Sequence, residues 1–282
     1  MGQQRIEIKP ISGALGAEIH GVDLAASLDN STMASVRQAF VDHGVVFFMG
    51  QELTPEQHLS FARRFGGIDV NKFFEAVDGY PEIAQVRKEA DDTNNIGGAW
   101  HTDHSYDPEP ALGSMLYAKE LPSRGGDTMF ASMYAAYDAL SPGMQKMLSG
   151  LNAVHSGVRA FGPKAQNNNE GRDAQFKLSE IALKEVEHPV ICTHAESGRK
   201  FLYVNRGFTI RFANMTEAES KPLLDYLYAH AARPEFTCRF NWRPGAMAFW
   251  DNLCTQHLAL NDYHGQRRLM HRITIQGRAP QA

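Results

Sequence analysis

The 282-residue sequence predicts a mainly β fold with inserted helices, built as an antiparallel sandwich or jelly roll. Three observations predict it. Short stretches with strand patterning recur along the chain. A few capped helical stretches are inserted between them, without the strand–helix–strand rhythm of a parallel sheet. No Pro/Gly/Ser-rich linker, charge block or internal repeat divides the chain, so it reads as one domain over 1–282.

Ile6-Glu7-Ile8-Lys9 alternates as a strand does, and Ala17-Glu18-Ile19 follows a glycine turn. Asn30-Ser31 can cap a helix to about His43, whose apolar face is Met33, Val36, Phe40 and Val41. Val45–Met49 is a continuous apolar run suited to a buried strand. Thr54-Pro55-Glu56-Gln57 carries a cap, a first-turn proline and a capping-box glutamine, and its helix ends near Phe65-Gly66-Gly67. Residues 68–80 have no clear period and read as a loop. Ile83–Val86 is a strand, and 89–99 is a polar, glycine-containing loop.

Ser114–Ala118 and Thr128–Ala131 read as strands joined through Pro122-Ser123-Arg124-Gly125-Gly126, alone a hairpin pattern. Ser132 caps one helix, and Ser141-Pro142 starts another that ends at Gly150. Residues 158–185 form a polar insert around Asn167-Asn168-Asn169, a length that suggests a lid-like or disordered segment. Strands follow at 186–193 and 200–204, separated by Ser197-Gly198. Thr216-x-x-Glu219 is a capping box before a helix to about Ala231, where Pro222 is expected to delay or kink the start. The remainder is strand at 236–242, 246–250 and 268–275.

A net charge of −4 argues against a general nucleic-acid or membrane-surface role, so any basic feature must be local. The three scattered cysteines (Cys192, Cys238, Cys254) read as reduced core thiols of a cytoplasmic protein. The opening Met-Gly-Gln-Gln-Arg-Ile lacks the apolar run of a signal peptide, and no stretch has the roughly 18–20 apolar residues that span a bilayer.

Chemistry concentrates at Trp100-His101-Thr102-Asp103. If 100–104 is extended, His101 and Asp103 share a face roughly 6–7 Å apart at the backbone. His257, from a remote strand, can complete a set of two imidazoles and one carboxylate. Such a set leaves the opposite side of a metal open, as in non-haem Fe(II) oxygenases. Alone, the His-x-Asp is weak, and a lone His257 is more often a core histidine.

In Arg267–Ile273, period two puts Arg268, Met270 and Arg272 on one face, with the two arginines about 13 Å apart at a rise of about 3.3 Å per residue. Buried arginines need anions, so two facing inward would hold two separate anions on either side of a metal. The alternative is an edge strand with solvent-facing charges. Thr128, after the Gly125-Gly126 turn, offers a hydroxyl donor to a carboxylate.

His101-Thr102-Asp103, Gly125-Gly126-Asp127-Thr128, Trp250-Asp251-Asn252 with His257, and Arg268 with Arg272 stand in an order that resembles the taurine dioxygenase (TauD/TfdA) family. The resemblance runs from Gly16-Ala17-Glu18-Ile19 to Gly277. Within the family the chain looks most like the (R)-phenoxypropionate (dichlorprop) dioxygenases, through Arg87-Lys88-Glu89-Ala90, Phe236-Thr237-Cys238-Arg239 and Trp250–Thr255.

The resemblance implies a double-stranded β-helix (jelly-roll, cupin-like) core and an Fe(II)- and 2-oxoglutarate-dependent oxygenase. By motif, His101, Asp103 and His257 would bind iron and so form the catalytic centre. Arg268 and Thr128 would hold the distal carboxylate of 2-oxoglutarate, with O2 as the other co-substrate. Arg272 would pair with a small anionic organic substrate. The implied products are succinate, CO2 and a hydroxylated substrate that fragments if the hydroxylated carbon bears oxygen or sulfonate. A homo-oligomer (dimer or tetramer) is the implied assembly, without nucleic-acid or membrane partners.

Asn71, Phe74 and Gly97 stand where the taurine enzymes have His, Tyr and Asn, which removes groups that read a small zwitterion. Ile96-Gly97 is shared with the phenoxypropionate enzymes, and with Gly98 it extends the expected substrate-binding set. Lys72 and Glu75 add charge to the Asn71 loop. His104, Tyr106 and Phe208 either line the same pocket or only pack around the metal strand. A zinc hydrolase with the same ligands would leave Arg268, Thr128 and Arg272 without a role. A non-catalytic metal-binding jelly roll is the remaining alternative.

Overall fold

A computed structural model describes residues 6–161 and 183–282. Its strands in chain order are β1 (Glu7–Pro10), β2 (Ala17–His20), β3 (Val45–Phe48), β4 (Ile68–Asp69), β5 (Ala76–Val77), β6 (Tyr80–Lys88), β7 (Gly113–Glu120), β8 (Thr128–Ser132) and β9 (Asn152–His155). After these come β10 (Val186–Pro189), β11 (Ile191–Thr193), β12 (Lys200–Leu202), β13 (Thr209–Phe212), β14 (Thr237–Phe240), β15 (Met247–Asp251), β16 (Thr255–Ala259) and β17 (Arg268–Ile275). The inserted helices are α1 (Asn30–His43), α2 (Pro55–Ala62), α3 (Met133–Asp138), α4 (Pro142–Leu148), α5 (Val158–Phe161) and α6 (Glu217–Ala231). The chain is thus mainly β with helices between strands.

One large sheet runs β1-β2-β3-β15-β7-β17-β6-β5, with β4 also on β17. A three-stranded sheet, β14-β8-β16, faces it. Alternation sorts the residues of the large sheet into two cores. Val46, Phe48, Met115, Tyr117, Met247, Phe249, Ile273 and Ile275 pack with α1 and α2 on the outer face. Val45, Phe47, Leu116, Ala118, Ala248, Trp250 and Met270 pack against Phe130, Cys238 and Phe240 of the small sheet. Covering on both faces is why Val45–Phe48 is apolar throughout and wholly buried. A third core gathers α3, α4, α6 and the β11-β12 hairpin.

Caps place the helices where the sequence marks them. Asp29 accepts from the Thr32 backbone N–H and starts α1, one residue before the expected cap, and Gly44 closes it at φ 69°. Both expected capping boxes form, Thr54 with Gln57 and Thr216 with Glu219. Pro222 does not delay α6, which runs through it from Glu217.

Several expectations are corrected. The 68–80 loop contains β4 and β5. The 186–193 stretch is two strands in different sheets, because β10 pairs β9 whereas β11 pairs β12. β9, β13 and β16 are strands without strong sequence patterning. The Gly125-Gly126 turn carries the chain from the large sheet to the small one instead of closing a β7-β8 hairpin. β17 lies between β7 and β6, so it is no edge strand. Most of the 158–185 insert lies outside the described residues; within it, 158–161 is helical. Among the described residues, no helix is long and apolar enough to cross a membrane. All three cysteines are buried and free.

Candidate metal and cosubstrate site

His101 and His257 exchange backbone hydrogen bonds, His101 N to His257 O at 3.1 Å and His257 N to His101 O at 2.9 Å. An antiparallel pair bonded in this way points its two side chains to the same face, and the ring centroids lie 4.1 Å apart. The expected extended run over 100–104 does not form. His101 makes a single bridge, Asp103 begins a turn, and His104 adopts a left-handed φ of 58°. The turn nevertheless brings Asp103 back to the histidines. One ligand atom from each of His101, Asp103 and His257 lies within 4.8 Å of the others.

The donors are prepared for a cation. His101 Nδ1 lies 2.8 Å from the Ala99 carbonyl, which accepts its proton and turns Nε2 toward Asp103. Burial above all holds the His257 imidazole well below its ordinary pKa, so it is neutral. Burial alone would raise the Asp103 carboxyl, but its neighbours, Arg272 first, outweigh it and hold the group well below the carboxylate range. Neutral imidazole and ionised carboxylate are the forms that bind metal. With no fourth protein ligand in the cluster among the described residues, the N/O donor set fits an open Fe(II) site.

Both strand arginines face inward beside Met270, as alternation requires, and are buried. Arg272 Nη2 contacts Asp103 Oδ2 at 2.8 Å and donates to Ser114 Oγ at 2.9 Å. Arg268 differs: its Nε and Nη2 find no hydrogen-bond acceptor among the described residues. Burial accordingly pulls its pKa down, against the pull of Tyr263 and Asp127. Asp127 is already bonded to Arg239 at 2.6 Å and Asn241 at 2.8 Å. Thr128 is buried in the same region, and its Oγ accepts from Trp242 Nε1 at 3.0 Å, leaving the hydroxyl proton to donate outward. An unpaired buried guanidinium beside such a donor fits the distal carboxylate of 2-oxoglutarate.

A cavity of about 230 Å³ opens over His101 and Asp103. Every residue expected to bind substrate lines it: Asn71, Phe74, Ile96, Gly97, Gly98, His104, Tyr106, Phe208 and Arg272. Asn71 has a structural duty too, since its Oδ1 accepts from the Phe73 and Phe74 backbone N–H groups. His104 Nδ1 lies 3.4 Å from Asp69 and 3.3 Å from Asp107, ion-pair distances without hydrogen-bond alignment. Burial would lower its pKa, but these two carboxylates raise it.

The sequence reading missed Phe73 and Phe161, which stack at 4.6 Å and 4° on the cavity wall. It also missed Gly207, where a Cβ would sit 2.8 Å from His101 Cβ. Phe73 lay beside two chosen loop positions, and its apolar character in a polar loop was an available signal. Gly207 carried none.

The comparisons bear on this geometry. The family described as "Taurine catabolism dioxygenase TauD, TfdA family" matches residues 7–274. An alkylsulfatase of Acinetobacter baylyi is 34% identical over 277 residues, covering 97% of this chain and 86% of that protein. The (S)-phenoxypropionate/alpha-ketoglutarate-dioxygenase of Sphingobium herbicidovorans is 32% identical over 279 residues, covering 96% and 95%. The crystal structure of AAD-2 in complex with Mn(II) and N-oxalylglycine superposes with a TM-score of 0.82 at 28% identity, covering 99% of this chain and all of that one. Identity therefore does not separate the sulfatase from the phenoxypropionate enzyme. With the match running almost end to end, the chain belongs to the TauD/TfdA family and is a 2-oxoglutarate-dependent oxygenase.

Proposed function

We propose that this chain hydroxylates a C–H bond of a small organic anion with an apolar body, an alkyl sulfate ester, sulfonate or aryloxyalkanoate. His101, Asp103 and His257 would hold Fe(II), and Arg268 and Thr128 the distal carboxylate of 2-oxoglutarate. Bound iron supplies the redox chemistry by which O2 delivers one oxygen atom to the substrate carbon and one to succinate, with CO2 released. The observation that carries this reading is the buried Arg268, whose Nε and Nη2 lack an acceptor beside a complete ligand triad.

The chain's own groups divide the remaining work. Phe73, Tyr106, Phe161 and Phe208 exclude water and surround an apolar body, with Tyr106 and Phe208 edge-on at 4.8 Å. Arg272 faces the same cavity and would orient the anionic group while keeping Asp103 ionised. That places the reactive carbon next to the charged group. If that carbon bears an ester or ether oxygen, its hydroxylated product collapses to a carbonyl compound and releases sulfate or a phenol. The sulfatase and phenoxypropionate relatives support this substrate range, and the departures at Asn71, Phe74 and Gly97 weigh against taurine.

We read the large sheet and β14-β8-β16 as the two faces of a double-stranded β-helix, within one catalytic unit that works as a homo-oligomer. The central test supplies Fe(II) and 2-oxoglutarate anaerobically, admits oxygen, and measures succinate over a panel of alkyl sulfates, sulfonates and aryloxyalkanoates. Substrate-stimulated succinate with a matching carbonyl or hydroxylated product is the expected result. Absence of succinate with every anion, despite iron bound at the triad, would overturn the reading.

A further inference from the structure

Arg268 is not the sole buried cation that lacks an acceptor near the cosubstrate site. Lys88, the last residue of β6, is 2% exposed, and its Nζ finds no hydrogen-bond acceptor among the described residues. In the β6-β17 ladder Lys88 stands directly opposite Arg268, Val86 opposite Met270 and Ala84 opposite Arg272. Directly opposed residues project to one face, with Cβ atoms about 4.5–5.5 Å apart. Lys88 therefore shares the inward face on which the metal and cosubstrate groups lie.

Carboxylates are not scarce around it; they are turned away. Arg87 and Arg267 pair on the outer side with Glu75, Glu89 and Glu120. None of these acids forms an ion pair with Lys88 among the described residues. Among the described residues its one partner is the Tyr263 ring, 4.7 Å from Nζ. An aromatic face stabilises an ammonium only modestly and leaves its three donors unsatisfied. Two buried, like-charged groups facing each other across adjacent strands destabilise the fold unless an anion lies between them.

We propose that Lys88 is a second cation for the distal carboxylate of 2-oxoglutarate, bridged with Arg268 and joined by the Thr128 hydroxyl. This rests on the assignment of 2-oxoglutarate to Arg268 and Thr128. The carboxylate would take a bidentate or single guanidinium contact from one side and an ammonium contact from the other. The site then selects a dicarboxylate 2-oxo acid over one that ends in a neutral group.

The test is anaerobic calorimetric titration of the Fe(II)-loaded protein with 2-oxoglutarate and, separately, with oxalate. Oxalate offers a metal two oxygen donors but has no distal carboxylate. A charge-assisted contact is worth about 1.5–3 kcal/mol, so Lys88→Met should weaken 2-oxoglutarate about 10- to 100-fold. Oxalate binding should not change. Lys88→Gln, which is one atom shorter but keeps some donation, should give a smaller loss of the same kind and guards against misfolding of the Met variant. The metal-free Lys88→Met protein should unfold in urea at least as late as wild type, since a buried unpaired charge is removed, while 2-oxoglutarate should protect it less. Unchanged 2-oxoglutarate affinity, or equal loss for oxalate, would overturn the role of Lys88. Failure of wild type itself to bind 2-oxoglutarate would instead remove the cosubstrate assignment on which it stands.

Discussion

Arg272 Nη2 stands 2.8 Å from Oδ2 of Asp103, so an arginine that lines the cavity is also bound to one of the three candidate metal ligands. Ser114 locks the pair, accepting from Arg272 at 2.9 Å and donating to Asp103 at 3.1 Å. Removing the carboxylate strands a buried guanidinium, at a cost of about 3–5 kcal/mol. Asp103→Ala should therefore abolish metal binding and also lower the urea midpoint of the metal-free protein. His101→Ala should abolish metal binding with a much smaller loss of stability. Equal midpoints for the two variants would mean that Arg272 does not depend on Asp103.

Gly207 is held against His101, where an added methyl would come within 2.8 Å of the imidazole-bearing Cβ. Neither atom is at the end of a flexible side chain, so the histidine must shift. Overpacking of this kind costs about 1–3 kcal/mol. Gly207→Ala should weaken Fe(II) by about tenfold or more while leaving the distal carboxylate contact of Arg268 untouched. Titration with Fe(II), followed by the 2-oxoglutarate charge-transfer absorbance, would separate these effects. Wild-type metal affinity in the variant would show that His101 yields freely.

The residues that were legible are those whose role follows from local pattern. Period two in β17 placed Arg268 and Arg272 on one face, and caps fixed the starts of α2 and α6. His101, Asp103 and His257 converge as expected, but through a turn and not through the extended run over 100–104. Histidine tolerates the left-handed region better than most side chains, yet nothing in the local sequence requires the turn at His104. His257 was placed on a strand only through the ligand set it would complete, because the Thr-Gln-His-Leu-Ala of β16 shows no apolar alternation. Lys88 lies just beyond the Ile83–Val86 stretch that reads as a strand, and nothing local marks it as buried. Its burial depends on Arg268 arriving opposite it from 180 residues downstream.

Trp242 also entered only through the fold, as the donor to Thr128 Oγ at 3.0 Å. Its ring lies under the Arg268 guanidinium, 5.6 Å from Cζ. Trp242→Phe keeps an aromatic face but removes the indole N–H that orients the threonine hydroxyl. A neutral buried hydrogen bond contributes about 0.5–1.5 kcal/mol, so 2-oxoglutarate should bind about 3- to 10-fold more weakly. Fe(II) affinity should be unchanged. Calorimetry with both ligands checks this, and a loss of metal binding would instead point to general damage at the site.

His58 sets an acid limit on the fold far from the metal. It is 1% exposed on α2, edge-on to Tyr117 at 5.8 Å, and neither ring nitrogen has a partner among the described residues. Burial, with positive charge from His271 and Lys119, pushes its pKa down from 6.5 to about 3. In the unfolded chain it takes up a proton near the ordinary value, while the folded chain keeps it neutral. Its contribution to stability is thus complete above about pH 6.5 and is lost as pH falls from there toward 3. By about pH 5 the loss from this group is on the order of 2 kcal/mol. His58→Leu fills the same apolar niche without a proton site. Urea unfolding of metal-free wild type and His58→Leu across this range should show curves that converge or cross as pH falls, the wild type losing more. Parallel pH dependence of the two proteins would place the acid sensitivity in other groups, such as the buried His155, and remove His58 from the account.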